Sequence, residues 1–229
     1  MSENLLFKED DMIILRNKKI TEIIVVTIIL FLLAYFAGVA LPRIPSALRI
    51  IIGVFYYTLM MSIIFFVVKK VDKQKLEIIG LSTNDLAKQI LIGIGIFIII
   101  LILVITALLL GADKQYFVNP KPKSIVVIIY YTFYGIIFVG FGEEIIFRGF
   151  FLERIKIVLN SSIWAVLISS VLFAVWHYPT THNIPPLALL FGIIFSVCRL
   201  KIKRCGIVSL AIAHGLNDAL AIWLGFFLL

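Results

Sequence analysis

The sequence predicts an all-α protein, a polytopic bundle of about seven to eight transmembrane helices enclosing a polar cavity. Three observations predict it. Hydrophobic residues make up 62% of the chain and charged residues only 15%, with a mean hydropathy of +1.12, well beyond what a soluble core requires. The apolar residues fall in runs of about 20, the length that crosses a hydrocarbon core of ~30 Å. Ionisable residues that the loops do not account for recur in the later runs, where isolated charges are costly.

The candidate spans are 20–41, 50–68, 90–111, 125–155, 162–178, 187–200 and 205–229. Residues 1–19 form an N-terminal tail, and 20–229 make a single transmembrane domain. The first run, "ITEIIVVTIILFLLAYFAGVAL", is longer than a signal-peptide core and is expected to stay as an anchor, although "GVA" resembles a cleavage site. Between the second and third spans, "KKVDKQKLEIIGLSTNDLAKQ" places Leu76, Ile79, Leu86 and Ile90 at helix-like spacing. That pattern fits an interfacial helix or a solvated connector with a short amphipathic turn. The stretch "ADKQYFVNPKPKS", with two prolines, breaks the third span from the fourth. The run at 187–200 is the shortest of the seven.

The formal charge of +8 does not imply nucleic acid, because the basic residues sit in clusters between apolar runs. With the N-terminus inside, 16 Lys and Arg fall on the cytosolic face and 5 on the outer face, so the positive-inside rule predicts N-in and C-out. A bacterial cell membrane is the expected location. Cys198 and Cys205 flank a basic turn without zinc-ribbon or CxxC spacing and read as ordinary thiols.

The polar residues of the late spans are Glu143, Glu144 and Arg148 in "FGEEIIFRGF", His177 in "LFAVWHYP", and His214, Asn217 and Asp218 in "AIAHGLNDAL". Counting about 1.5 Å per residue from the inner turns puts Glu143 at roughly 19 Å, His177 at roughly 24 Å, His214 at roughly 13 Å and Asp218 at roughly 19 Å. Residues that merely snorkel would instead scatter towards the helix ends. Glu144 and Arg148 are an i,i+4 pair that neutralise each other, while Glu143 points away from them. His214 and Asp218 share one helix face, and His177 precedes Pro179 at a helix end. A carboxylate beside an imidazole in a half-dry cavity is a general-base arrangement, and a second imidazole with Asp218 could hold an oxyanion or fix a tautomer.

Each residue also has a plainer reading. Glu143, Glu144 and Arg148 could be a structural ion network, and His177 or His214 could be satisfied by backbone carbonyls. Phe173 reads as packing, a wall behind His177. Trp176, Tyr178 and Trp223 fit an interfacial belt or a cavity lining, and His182 lies in an outer loop away from the chemistry. The shared depth favours function.

"EEIIFR" matches EExxxR, "FAVWH" (Phe173 to His177) matches FxxxH, and "HGLND" (His214 to Asp218) matches His followed four residues on by Asn or Asp. In this order on late membrane helices, within 125–225, the motifs resemble the CAAX-protease and bacteriocin-processing (CPBP, or Abi) family of intramembrane glutamate-dependent proteases. The resemblance implies an endopeptidase acting on a membrane-associated peptide or lipidated protein. Glu143 would be the base that activates water, with His177 sharing that water. His214 and Asp218 would stabilise the oxyanion, and Glu144 and Arg148 would support the site. Asp218 stands where many members have Asn, so it must be protonated or paired with His214 as imidazolium. No cofactor is required in this reading. The metalloprotease alternative would make Glu143, His177 and His214 zinc ligands with Glu144 as base. The competing functions are a non-catalytic immunity or peptide-binding membrane protein and a proton-coupled transporter. The transporter would call for inverted repeats, which the sequence does not display.

Overall fold

The computed structural model describes residues 3–111 and 124–228. Among them every regular element is helical, as the composition predicts. In chain order these are α1 (Glu3–Ala40), α2 (Ser46–Phe66), α3 (Leu86–Leu109), α4 (Ile125–Leu159), α5 (Ser162–Trp176), α6 (Pro186–Lys201) and α7 (Ile207–Leu228). Six helices are long and apolar enough to cross a bilayer, close to the expected seven, and the protein is a multi-pass membrane protein. The seventh candidate, α6, has 16 residues. The proline-containing break falls outside the described residues except for Ser124, whose hydroxyl accepts from the Val127 amide and caps α4.

Two local features add to the expectations. Helix α1 starts at Glu3 and so runs on through the tail that precedes the first expected span, because neither Gly nor Pro interrupts the chain before Gly38. Of the two forms expected for the loop after α2, the structure has the connector with a short turn and not the interfacial helix. The loop makes a single 3-10 turn, Leu76–Ile79, with Ile79 buried. The Gly80 carbonyl then accepts from the Ile207 amide at 2.9 Å. Ile79 removes more apolar surface from water beneath α4 than it would lying on a membrane surface.

The basic clusters converge on one end of the bundle. Arg154 near the end of α4 donates to Glu22 of α1 at 2.8 Å and to Asp72 at 2.7 Å, and Lys19 donates to Asp72 at 2.6 Å. Arg199 pairs with Glu153 at 3.0 Å, and Arg204 with Asp85 at 3.1 Å. Burial alone would push the Asp72 carboxyl up. Its hydrogen bonds to Lys19 and the neighbouring groups outweigh that and hold it below the usual carboxylate range. These contacts tie the N-terminal tail, the loop after α2 and the end of α4 into one plate.

Above that plate the core is an aromatic seam. Phe147 meets Phe173 and Trp176 edge-on, and Trp176 does the same with Phe31 of α1. Helix α7 lies against both α3 and α4 through small residues. A Cβ at Gly140 would sit 2.5 Å from the Ala211 carbonyl, the close backbone approach on which membrane helices rely in the absence of a hydrophobic driving force.

Candidate active site

Helix α4 changes winding where its charges lie. The α-helical turn Phe141–Glu144 is bracketed by two π-helical stretches, Gly135–Gly140 and Ile145–Phe151. Each π turn carries an extra residue per turn, a geometry found mostly as local bulges at functional sites. Glu143, Glu144 and Arg148 are all buried, as is His214 of α7.

Glu144 is the hub. Its Oε1 accepts from Arg148 Nη1 at 2.9 Å and from His214 Nδ1 at 2.7 Å. The expected i,i+4 pair therefore forms, and it also reaches across to α7, a contact that the sequence did not announce. Arg148 further donates to the Phe191 carbonyl at 3.4 Å and lays its guanidinium 4.3 Å from the Phe173 ring centre. The aromatic face is worth about 2 kcal/mol to a desolvated cation, which helps to keep an arginine so far from water.

With Nδ1 committed to Glu144, His214 turns its Nε2 edge to the other acids. Nε2 lies 3.7 Å from Glu143 Oε2 and 3.7 Å from Asp218 Oδ2. Both separations are too long for a direct hydrogen bond and suit an intervening atom. Glu143 Oε2 is buried with no partner among the described residues. Its other oxygen accepts from the Tyr57 hydroxyl at 2.9 Å.

His177 closes α5. Its Nδ1 lies 2.9 Å from the Phe173 carbonyl. A carbonyl only accepts, so Nδ1 carries the proton and Nε2 is the free acceptor. His177 touches no carboxylate directly among the described residues. It joins the others through Phe173, whose ring stands edge-on to His177 at 5.0 Å and to His214 at 5.8 Å. Phe173 is thus the wall between two imidazoles, as well as the seat of Arg148.

All six predicted residues therefore line one region. Glu143, Glu144, Arg148, His214 and Asp218 form a continuous polar cluster, and His177 flanks it. The sequence missed Tyr57, which comes from α2 and lies in an aromatic-rich apolar run with no motif spacing. Gly142 marks the place in retrospect. A Cβ there would sit 2.5 Å from the Tyr57 ring, so only glycine lets α2 lie on the turn that carries Glu143. His182 is exposed beyond the site. Trp176 is buried, and Trp223 donates to Thr132 at 3.2 Å.

The zinc alternative requires three open donors. Among the described residues no group of three or more His, Cys, Asp or Glu side chains is gathered closely enough to hold a metal ion, and one oxygen of Glu144, its designated base, is already shared by Arg148 and His214. What the cluster offers is two buried carboxylate oxygens without a partner among the described residues, Glu143 Oε2 and Glu144 Oε2, and two imidazoles with one nitrogen each left to face a reacting group.

No curated protein and no solved structure matches the chain. Residues 124–220 match the Rce1-like family model, described as type II CAAX prenyl endopeptidase Rce1-like. That stretch holds all three motifs and every side chain of the cluster except Tyr57, and the match agrees with the CAAX-protease (CPBP) family that the motifs resemble.

Proposed function

We propose that the protein is an intramembrane endopeptidase that hydrolyses a peptide bond of a membrane-associated peptide or protein with water activated by Glu143. Glu143 Oε2 takes a proton from a water that His177 Nε2 also holds. The hydroxide attacks the scissile carbonyl carbon, and the C=O electrons move onto oxygen. His214, with Nδ1 anchored on Glu144, presents Nε2 to that oxygen. As imidazolium it donates there, with Asp218 as the counter-charge beside it. Collapse of the tetrahedral species breaks the C–N bond, and Glu143 returns its proton to the departing amine. Tyr57, Glu144 and Arg148 position these groups, and the chain's own residues supply every step.

The observation that carries the reading is the pairing of an unpartnered buried oxygen, Glu143 Oε2, with the Nε2 edge of a histidine whose other nitrogen is fixed. The family match over 124–220 supports the same reaction class.

N-terminal proteomics of cells carrying the intact protein or Glu143→Gln tests it. New N-termini of membrane-associated proteins should appear only with the intact protein and should persist when a chelator is added. Identical N-terminal profiles from the two strains would refute the protease reading, and their loss on chelation would move the chemistry onto a metal.

A further inference from the structure

We infer that the groove between α1 and α2 is a binding site for one anionic phospholipid, its acyl chains laid along an apolar trough and its phosphate held by Lys18 and Lys70. The site is separate from the catalytic cluster and does not rest on the protease reading.

The groove follows from how the first two spans are seated. Each is anchored on α4: Arg154 draws α1 in through Glu22 at 2.8 Å, and the Tyr57 ring seats α2 on Gly142. Between them runs a trough of about 650 Å³, walled by Val25 and Ile29 from α1 and by Ile63, Phe66, Val67 and Val71 from α2 and the turn that ends it. Both spans are long and apolar enough to cross a bilayer, so lipid tails rather than water meet this surface. The trough has no polar guest to satisfy along its length. Thr21 and Ser62, which also line it, already donate to the Asn17 and Thr58 carbonyls one turn back.

The charges gather at one end. There Glu22 and Asp72 are each held by the same two cations: Lys19 lies 3.1 Å from Glu22 and 2.6 Å from Asp72, and Arg154 lies 2.8 and 2.7 Å from them. Two cations neutralise two acids, and Lys18 is left over. It is 43% exposed, lies 3.0 Å from Asp72 and donates to the Val71 carbonyl across the mouth of the groove at 3.1 Å. Lys70 enters from the opposite wall, one turn beyond Phe66. It is exposed and forms no ion pair with an acid among the described residues. The chain winds here as a π turn, Val67–Val71, a form found mostly at functional sites.

Two other grooves lack this combination. The one between α5 and α6 holds about 260 Å³ with Lys201 as its one charged lining residue, and the one between α1, α4 and α5 holds about 330 Å³ with none. Bulk lipid covers any apolar face alike. A trough of ligand-site size, within ~300–1,000 Å³, that ends between two exposed lysines selects for the charge of the headgroup, as basic pockets between membrane helices do.

Native mass spectrometry of the full-length protein in detergent, titrated with phosphatidylglycerol or with phosphatidylcholine of the same chains, tests this. One phosphatidylglycerol should bind in preference to phosphatidylcholine. Each lysine beside an anionic headgroup contributes roughly fivefold in affinity, so the Lys18→Gln, Lys70→Gln double variant should bind phosphatidylglycerol about 25-fold more weakly. Lys201→Gln should bind it as the intact protein does, and Ile29→Trp, which fills the trough from its lipid-facing edge, should lower the binding of both lipids. Equal binding of the two lipids, or phosphatidylglycerol binding unchanged in the double variant, would overturn the proposal. Displacement of the lipid by an equal concentration of inorganic phosphate would also overturn it, because the trough would then contribute nothing. A lipid-free dimer that Ile29→Trp dissociates would do the same, by making the groove a subunit interface. Lys70→Gln alone, at an exposed position, should still show the roughly fivefold loss if the double variant fails to fold.

Discussion

Tyr57 supplies the only hydrogen bond that the Glu143 carboxylate accepts among the described residues, which leaves its partnerless oxygen as the reactive one. Tyr57→Phe keeps the ring packed on Gly142 and removes only the donor. A hydrogen bond of this kind is worth about 1–2 kcal/mol, which corresponds to a fall in turnover of roughly 5- to 30-fold, with the melting temperature within a degree or two. Arg148 behaves differently. It is fully buried beside Glu144, and Arg148→Ala would leave a buried carboxylate without its cation, a loss on the order of 3–5 kcal/mol. It should appear as a large drop in thermal stability in detergent, whereas Glu143→Gln should leave stability nearly unchanged. The motifs made Arg148 and Glu144 legible in the sequence through their i,i+4 spacing. Nothing comparable marked Tyr57, because a single hydroxyl in an apolar run has no periodic partner and acquires meaning only when α2 packs on α4.

At the level of elements, the site depends on how closely α4 and α7 approach. Gly140 faces the Ala211 carbonyl with no room for a methyl group, so Gly140→Ala should push α7 outwards and lengthen the His214–Glu144 contact. Activity should fall at least tenfold, a loss of about 1.4 kcal/mol of transition-state stabilisation, while Gly95→Ala, which meets open space on α3, serves as the neutral control. Helix existence and order were legible from apolar runs alone. The two π stretches of α4 were not, since they arise from tertiary packing around Glu143 and Glu144 rather than from local propensity. The sequence left the Leu76–Ile79 stretch open between an interfacial helix and a connector with a short turn for a related reason: amphipathic spacing says that a face is buried but not whether lipid or protein buries it.

Across the whole molecule, the plate built by Lys19, Glu22, Asp72 and Arg154 sets the depth of everything above it. The Asp72 carboxyl is held below its usual range, so its contribution is complete above the unfolded value and disappears as pH falls through the lower folded value. Stability in detergent should therefore decline on acidification below about pH 4, and Asp72→Asn should be less stable at neutral pH with a shallower decline. The convergence of acids and imidazoles from α4, α5 and α7 was visible in the sequence as a shared depth, because helix rise converts residue number into height. Their exact partners were not, because rotation about each helix axis is fixed only by neighbours such as Phe173. The central claim, that Glu143 activates the attacking water, is tested most directly in proteoliposomes with a peptide substrate recovered from the N-terminal comparison. Glu143→Gln should lose at least about a thousandfold in turnover, the scale of general-base catalysis, at an unchanged melting temperature; turnover within a few-fold of the intact protein would contradict the account.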